Sequence, residues 1–289
     1  MPSNQSWRTA FLVTTPRLIE QYETNDMRLF DDLIIKRFFS KMTLFMMQFK
    51  IIRDIERMML DLLAKGTFGL IICRTKYIDD LLQTAIDNGM EQVVILGAGL
   101  DTRPYRIEAM NRIKIFEVDL PIIQNIKKEK IRKCLGALPT HITYVPIDFN
   151  KQVLEDALNN EALDTRKPIF FIWEGVTQYI TEEAVKSTLG FISKTVVGSA
   201  VVFTYILKDV IDKTSDIDGA NDVMNYFITK DQTWNFGINP SKVYEFLTQF
   251  KIELIEEVGA SYYHEKYLKP MDRKLNISEI ERAVYAQRI

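Results

Sequence analysis

Five short β-rich runs, each followed by a segment of helix length, constrain this chain of 289 residues more than any other feature. They are Glu91 to Leu96, Ile113 to Val118, Ile142 to Pro146, Pro168 to Trp173 and Ala200 to Tyr205. Strands spaced this way must run parallel, because each crossover helix carries the chain back to the end of the sheet where it began. Two further runs, Lys251 to Glu256 and Ser278 to Ala286, have no helix of crossover length between them, so an antiparallel hairpin is expected there. The expectation is therefore an α/β fold: a seven-stranded, mostly parallel sheet with its last hairpin antiparallel.

Ahead of the sheet, from Arg17 to about Lys65, the pattern is helical. Leu44, Met47, Ile51, Ile55, Met58, Met59 and Leu62 recur at steps of three and four, with Arg53, Asp54, Glu56 and Arg57 between them. A second helix is expected from about Cys73 to Asn88, closed by Gly89. No Pro/Gly/Ser linker separates these segments from the strands. Residues 1–90 thus read as a helical cap packed on a core of 91–289 within one domain. The cluster Met42, Met46, Met47, Met58 and Met59 reads first as core filling and second as the lining of an adaptable apolar pocket.

Composition removes several functions. Lys plus Arg number 37 against 39 Asp plus Glu, a net charge of −2, so no global positive field gathers nucleic acid or an anionic membrane. No apolar stretch is long enough to span a bilayer, and Met1 to Thr15 lacks the apolar run of a signal peptide. The two cysteines, Cys73 and Cys134, have no His or Cys partner at metal spacing, which suits a reducing cytosol and leaves no metal site. A soluble intracellular protein, cytoplasmic in location, is the expectation.

The sharpest local feature is Gly97-Ala98-Gly99-Leu100-Asp101-Thr102-Arg103, directly after the first parallel strand. Open α/β sheets bind ligands at the carboxyl ends of their strands, and glycine there lets backbone approach a ligand without a Cβ. Thr102 stands where a dinucleotide fingerprint has its third glycine, and Pro104 follows at once, so a pyrophosphate site is disfavoured. A nucleoside without phosphates fits better. Asp119, 22 positions beyond Gly97, ends the second strand, where a carboxylate can accept both ribose hydroxyls, with Leu120 beside it. Asp148 ends the third strand and can accept an exocyclic adenine amine, while Phe149 can pack on the base. Glu174 ends the fourth. Asp101, Asp119, Asp148 and Glu174 facing one crevice imply a ligand that brings positive charge. S-adenosylmethionine, with an ammonium and a sulfonium, does so. Its carboxylate needs a cation, and Arg74 is placed to supply one.

These residues resemble a known family, the leucine carboxyl methyltransferase-like group of S-adenosylmethionine-dependent O-methyltransferases with its bacterial small-molecule branch. The matching motifs are Cys73-Arg74-Thr75-Lys76-Tyr77-Ile78-Asp79-Asp80, the stretch GAGLDTRPYR from Gly97, Phe116-Glu117-Val118-Asp119-Leu120-Pro121, Asp148-Phe149, and Glu174-Gly175 followed by Tyr179-Ile180. Weaker echoes are Phe236-Gly237 and Glu281-Arg282-Ala283. The resemblance implies the class I methyltransferase fold, and it implies that Arg74 holds the cofactor carboxylate, Gly97 and Gly99 the methionine loop, Asp119 the ribose, Asp148 and Phe149 the adenine, and Glu174 the ammonium. The front section departs from the family, with Asp31-Asp32-Leu33-Ile34-Ile35 where an Asp-Pro-x-Ala-like segment is common, so the acceptor is not carried over.

The expected reaction is methyl transfer to a carboxyl or hydroxyl oxygen of a small molecule. The alternatives are the C-terminal carboxylate of a protein and, from another class, a regulatory module that binds the cofactor without turnover. A carboxylate acceptor is already ionised at pH 7 and needs no base, whereas a hydroxyl would benefit from one. His141 enters the third strand at the end away from the crevice. His264, in the loop between the last two strands, is the candidate base, and Tyr205, Tyr263 and His264 are the candidate acceptor contacts.

Overall fold

The computed structural model describes residues 13–159, 161–231 and 233–289; most of the stretch Met1 to Thr15 lies outside them. The strands are β1 Gln92–Leu96, β2 Lys114–Asp119, β3 Ile142–Pro146, β4 Phe170–Trp173, β5 Ala200–Ile206, β6 Ile252–Val258 and β7 Glu281–Arg288. They form one sheet in the order β3-β2-β1-β4-β5-β7-β6. Strands β1 to β5 pair in parallel, and β7 runs antiparallel between β5 and β6. The last strand starts three residues later than the sequence suggests because the Ser278 N–H is tied to the Gly66 carbonyl at 3.0 Å rather than to the sheet.

Period-two alternation divides the sheet residues between two cores. Val93, Ile95, Ile115, Phe170, Ile172 and Val202 face the long helix α5 (Thr67–Asp87) and the front of the chain. Val94, Leu96, Phe116, Val118, Phe171, Trp173 and Phe203 face the other side, where helices at Leu154–Asn159, Glu182–Ile192 and Val243–Thr248 cover them. Crossovers on both faces leave the parallel strands apolar on both sides.

The front section is segmented rather than one periodic helix. Before α5 come α1 (Thr14–Glu20), α2 (Leu33–Lys36), α3 (Lys41–Met46) and α4 (Lys50–Leu63). The Asp32 carboxylate caps α2 by accepting from the Ile35 N–H at 2.9 Å, and the Ser40 hydroxyl caps α3 through Thr43 at 3.0 Å. Each cap starts a new helix that periodicity alone does not separate. Helix α5 starts at Thr67, six residues before the expected Cys73, and runs through Gly69, whose absent Cβ leaves room for the Asn276 carbonyl oxygen.

The methionine expectation needs correction. Met47 is buried, but Met42, Met46, Met58 and Met59 are exposed, together with Ile51, Ile55 and Leu62. Helix α4 packs inward through Leu60 and through Arg57, whose guanidinium lies 4.7 Å over the Phe68 ring, and that contact turns the Met and Ile side outward. Among the described residues no helix is long and apolar enough to cross a membrane, and no cluster of His, Cys, Asp or Glu could hold a metal ion.

Candidate active site

Strands β1 and β4 are neighbours, and the chain leaves them towards opposite edges of the sheet, β1 to β2 and β4 to β5. Such a switch point opens a crevice at the carboxyl ends of the strands. The loop after β1 lines it. The Gly97 and Ala98 N–H groups donate to the Val118 carbonyl at 2.7 and 3.0 Å, which fastens the loop to β2. Both glycines have positive φ, 68° at Gly97 and 42° at Gly99. Their surroundings differ. A Cβ on Gly97 would sit 2.2 Å from the Val176 side chain, whereas a Cβ on Gly99 would meet nothing closer than 3.8 Å. Gly97 is thus required by packing against the loop after β4, and Gly99 is the residue that leaves an open cradle.

Asp119 lies beside that cradle. Its two oxygens accept from the Gly99 N–H at 2.5 Å and from the Leu120 N–H at 2.6 Å. Burial pushes its carboxyl up, against the two amides that favour the charged form. Asp148 and Phe149, just past β3, are half-buried, and Asp148 pairs with Lys151 at 2.8 Å.

Arg74, on α5, reaches Glu174 through Nε at 2.7 Å and Glu281 through Nη1 at 2.5 Å. Arg103, just past the loop, binds Asp79 and Asp101 and also the second oxygen of Glu174, each at 2.7 Å. Arg106 continues the chain to Asp79 at 2.6 Å, and Arg17 joins Asp32 at 2.6 Å and also bonds Thr102. Burial pushes the Glu174 carboxyl up, but Arg103 and Arg74 outweigh it and hold the group below the usual carboxylate range. Glu281 is raised, because burial exceeds what Arg74 returns.

This network corrects the charge argument made from sequence. The acids at the strand ends do not wait for a cationic ligand: Arg17, Arg74, Arg103 and Arg106 face Asp32, Asp79, Asp101, Glu174 and Glu281, four positive charges against five negative. The excess is one negative charge, to which Asp119 adds another. Sequence reasoning gave no role to Arg103, Asp79 or Glu281. All three stand inside the motifs named above, Glu281 in the weaker Glu281-Arg282-Ala283, and the signal for the first two was the pairing of RTKYIDD with DTRPYR.

Tyr263 is buried near Arg74 and Glu281, with its ring 5.9 Å from that of Tyr77, and burial pushes its hydroxyl far up. The Tyr205 hydroxyl is committed to Glu257 at 2.5 Å. His264 is not brought to this group. Its side chain is half exposed, with Glu265 at 3.5 Å as its charged neighbour.

Comparison with known proteins follows the same lines. Two relatives, each named for an inferred S-adenosyl-L-methionine-dependent methyltransferase activity, align over part of the chain. YktD of Bacillus subtilis is 38% identical over 136 residues, 46% of this chain and 44% of that protein. A Streptomyces avermitilis protein is 33% identical over 144 residues, 50% of each. The matched segment therefore spans about half the length of these relatives. Among solved structures, a DUF574 family protein from Streptomyces avermitilis has a TM-score of 0.57 at 15% identity, covering 82% of this chain and 91% of its own. One from Thermobifida fusca, titled for an inferred methyltransferase activity, has a TM-score of 0.59 at 16% identity, covering 83% and 89%. At that identity the two structures establish the shared fold, that of a class I methyltransferase. The family model described as leucine carboxyl methyltransferase matches residues 10–193, well over half of the 289, and the chain belongs to that family.

Proposed function

We propose that the protein is an S-adenosylmethionine-dependent O-methyltransferase whose acceptor is an oxygen of a small molecule, a carboxylate before a hydroxyl. The observation that carries the reading is the Gly99 cradle open beside the buried Asp119 carboxylate. A carboxylate there has lone pairs left for two ribose hydroxyls. Asp148 and Phe149 would take the adenine amine and ring face. Arg74 keeps Nη2 outside its two ion pairs, near Gly175, and would receive the cofactor carboxylate there. Glu174 and Glu281, with Asp119, supply the negative field for an ammonium. Family membership supports methyl transfer as the chemistry.

When bound, the cofactor supplies a methyl group on a sulfonium, open to in-line displacement. What remains for the protein is to align the acceptor oxygen and keep water out. Arg74, Arg103 and Glu174 are engaged in ion pairs, Asp119 is held by two backbone amides, and His264 stands apart on the surface. That arrangement suits an acceptor that arrives ionised. The rate at saturating cofactor and acceptor is therefore expected to stay flat from about pH 6 to 9, and His264→Ala is expected to cost little. An acidic limb that disappears in His264→Ala would make a hydroxyl the acceptor.

Arg74→Ala is expected to weaken the methyl donor and its demethylated product alike, by roughly 1.5 to 3 kcal/mol, since both keep the carboxylate. Calorimetry with both ligands decides: a loss confined to the donor removes Arg74 as the carboxylate clamp. The proposed reaction itself is tested by transfer of labelled methyl groups to a panel of small acids, phenols and peptides. Turnover on small acids supports it. Turnover on peptides alone points to a protein terminus, and binding with no turnover across the panel points to a regulatory module.

A further inference from the structure

Beneath the Gly97–Gly99 loop lies a buried ion pair with no part in the contacts assigned so far. Helix α7, which we take as Pro121–Leu135 with α6 the short turn Arg103–Arg106, buries Ile123, Gln124, Lys127 and Ile131 at helical spacing. Two of these four inward positions are polar. The Gln124 amide bridges the Glu117 and Val145 carbonyls at 2.8 and 2.7 Å. Lys127 meets Glu117 at 2.7 Å, with both side chains 1% exposed. The Tyr105 hydroxyl also donates to Glu117, at 3.2 Å, while Glu117 Oε2 has no partner.

A buried pair of this kind is an expensive way to fill a core, since a well-packed apolar pair is as stable or more so. Its third contact gives it a use. The Lys127 ammonium donates to the Ala98 carbonyl at 3.2 Å, and that carbonyl also accepts from the Asp101 N–H at 2.8 Å. Ala98 is the middle residue of the loop, and the next N–H, that of Gly99, bonds Asp119. Holding the Ala98 carbonyl inward fixes the peptide plane before Gly99 and so aims the Gly99 N–H at the carboxylate.

We infer that Lys127, anchored on Glu117, is a positioning residue that holds the cofactor loop in its binding geometry. The inference rests on the cofactor reading of the crevice for its consequence, but its structural half stands without a ligand. Lys127→Met alone would strand Glu117, so the test uses the double variant Lys127→Met with Glu117→Met, which removes both charges. Three readouts are taken: melting temperature, amide hydrogen exchange at Gly99 in the ligand-free protein, and affinity for S-adenosylhomocysteine.

The double variant is expected to melt at or above the wild-type temperature, while its Gly99 amide exchanges about 10-fold faster. Its affinity for S-adenosylhomocysteine is expected to fall by about 10-fold. A purely structural role would move the melting temperature and leave the other two alone. Glu117→Gln, which keeps the shape and removes the anchoring charge, is the second variant and is expected to change exchange and affinity in the same direction. Either folded variant with wild-type Gly99 exchange and wild-type affinity overturns the inference. If the wild type binds no S-adenosylhomocysteine, the cofactor reading fails, and the Gly99 exchange rate alone still decides whether Lys127 positions the loop.

Discussion

Replacing Arg103 with methionine is expected to destabilise the fold by about 3 to 5 kcal/mol, the range seen when one partner of a buried charge cluster is removed. The reason is local. Arg103 is 2% exposed and serves Asp79, Asp101 and Glu174 at once, each at 2.7 Å. Without it Asp101 loses its ion-pair partner, while Asp79 keeps Arg106 and Glu174 keeps Arg74. For a domain of this size the loss corresponds to a melting temperature lower by roughly 10 °C. Arg103→Lys is expected to recover only part of it, because a point charge cannot reproduce the planar fork that meets three carboxylates. Urea unfolding of the three proteins checks this, and a loss below about 1 kcal/mol in Arg103→Met would show that the cluster does not support the fold.

What the sequence revealed and what it concealed divide along physical lines. The strands were legible because β-rich runs bounded by turn residues are local signals, and β3 lies where Ile142 to Pro146 was read. Asp119 and the Gly99 cradle were legible too, since both follow directly from a strand end. The partners of Arg74 were not: Glu281 lies 207 positions away, and nothing local to either residue announces the pair. The overcount of unpaired acids has the same origin. Counting acids at strand ends sees one side of a balance whose other side, Arg17 and Arg103 among others, arrives through tertiary contacts. Periodicity also misjudged α4, because a helix pattern gives the existence of an apolar face and not the direction in which it points. Met58 and Met59 lie on the outside because Arg57 and Leu60 make the inward contacts.

The central claim is that the crevice at the carboxyl ends of the strands, opened at the β1–β4 switch point and lined by the loop after β1, binds S-adenosylmethionine through Asp119. Asp119→Ala removes a buried acceptor that would serve two ribose hydroxyls, and hydrogen bonds to a charged group of this kind are worth roughly 1 to 3 kcal/mol. The variant should therefore bind about 5- to 150-fold more weakly. The loss should be equal for the methyl donor and its demethylated product, because the ribose is common to both. Removing the carboxylate also frees the Gly99 and Leu120 amides, so the titration is run well below the melting temperature of the variant. Isothermal titration of S-adenosylhomocysteine into the wild type and Asp119→Ala, side by side, is the most direct measurement. The account predicts saturable one-site binding to the wild type and a dissociation constant at least about 5-fold higher in the variant. Equal affinity in the two proteins, or no binding to the wild type, would contradict it.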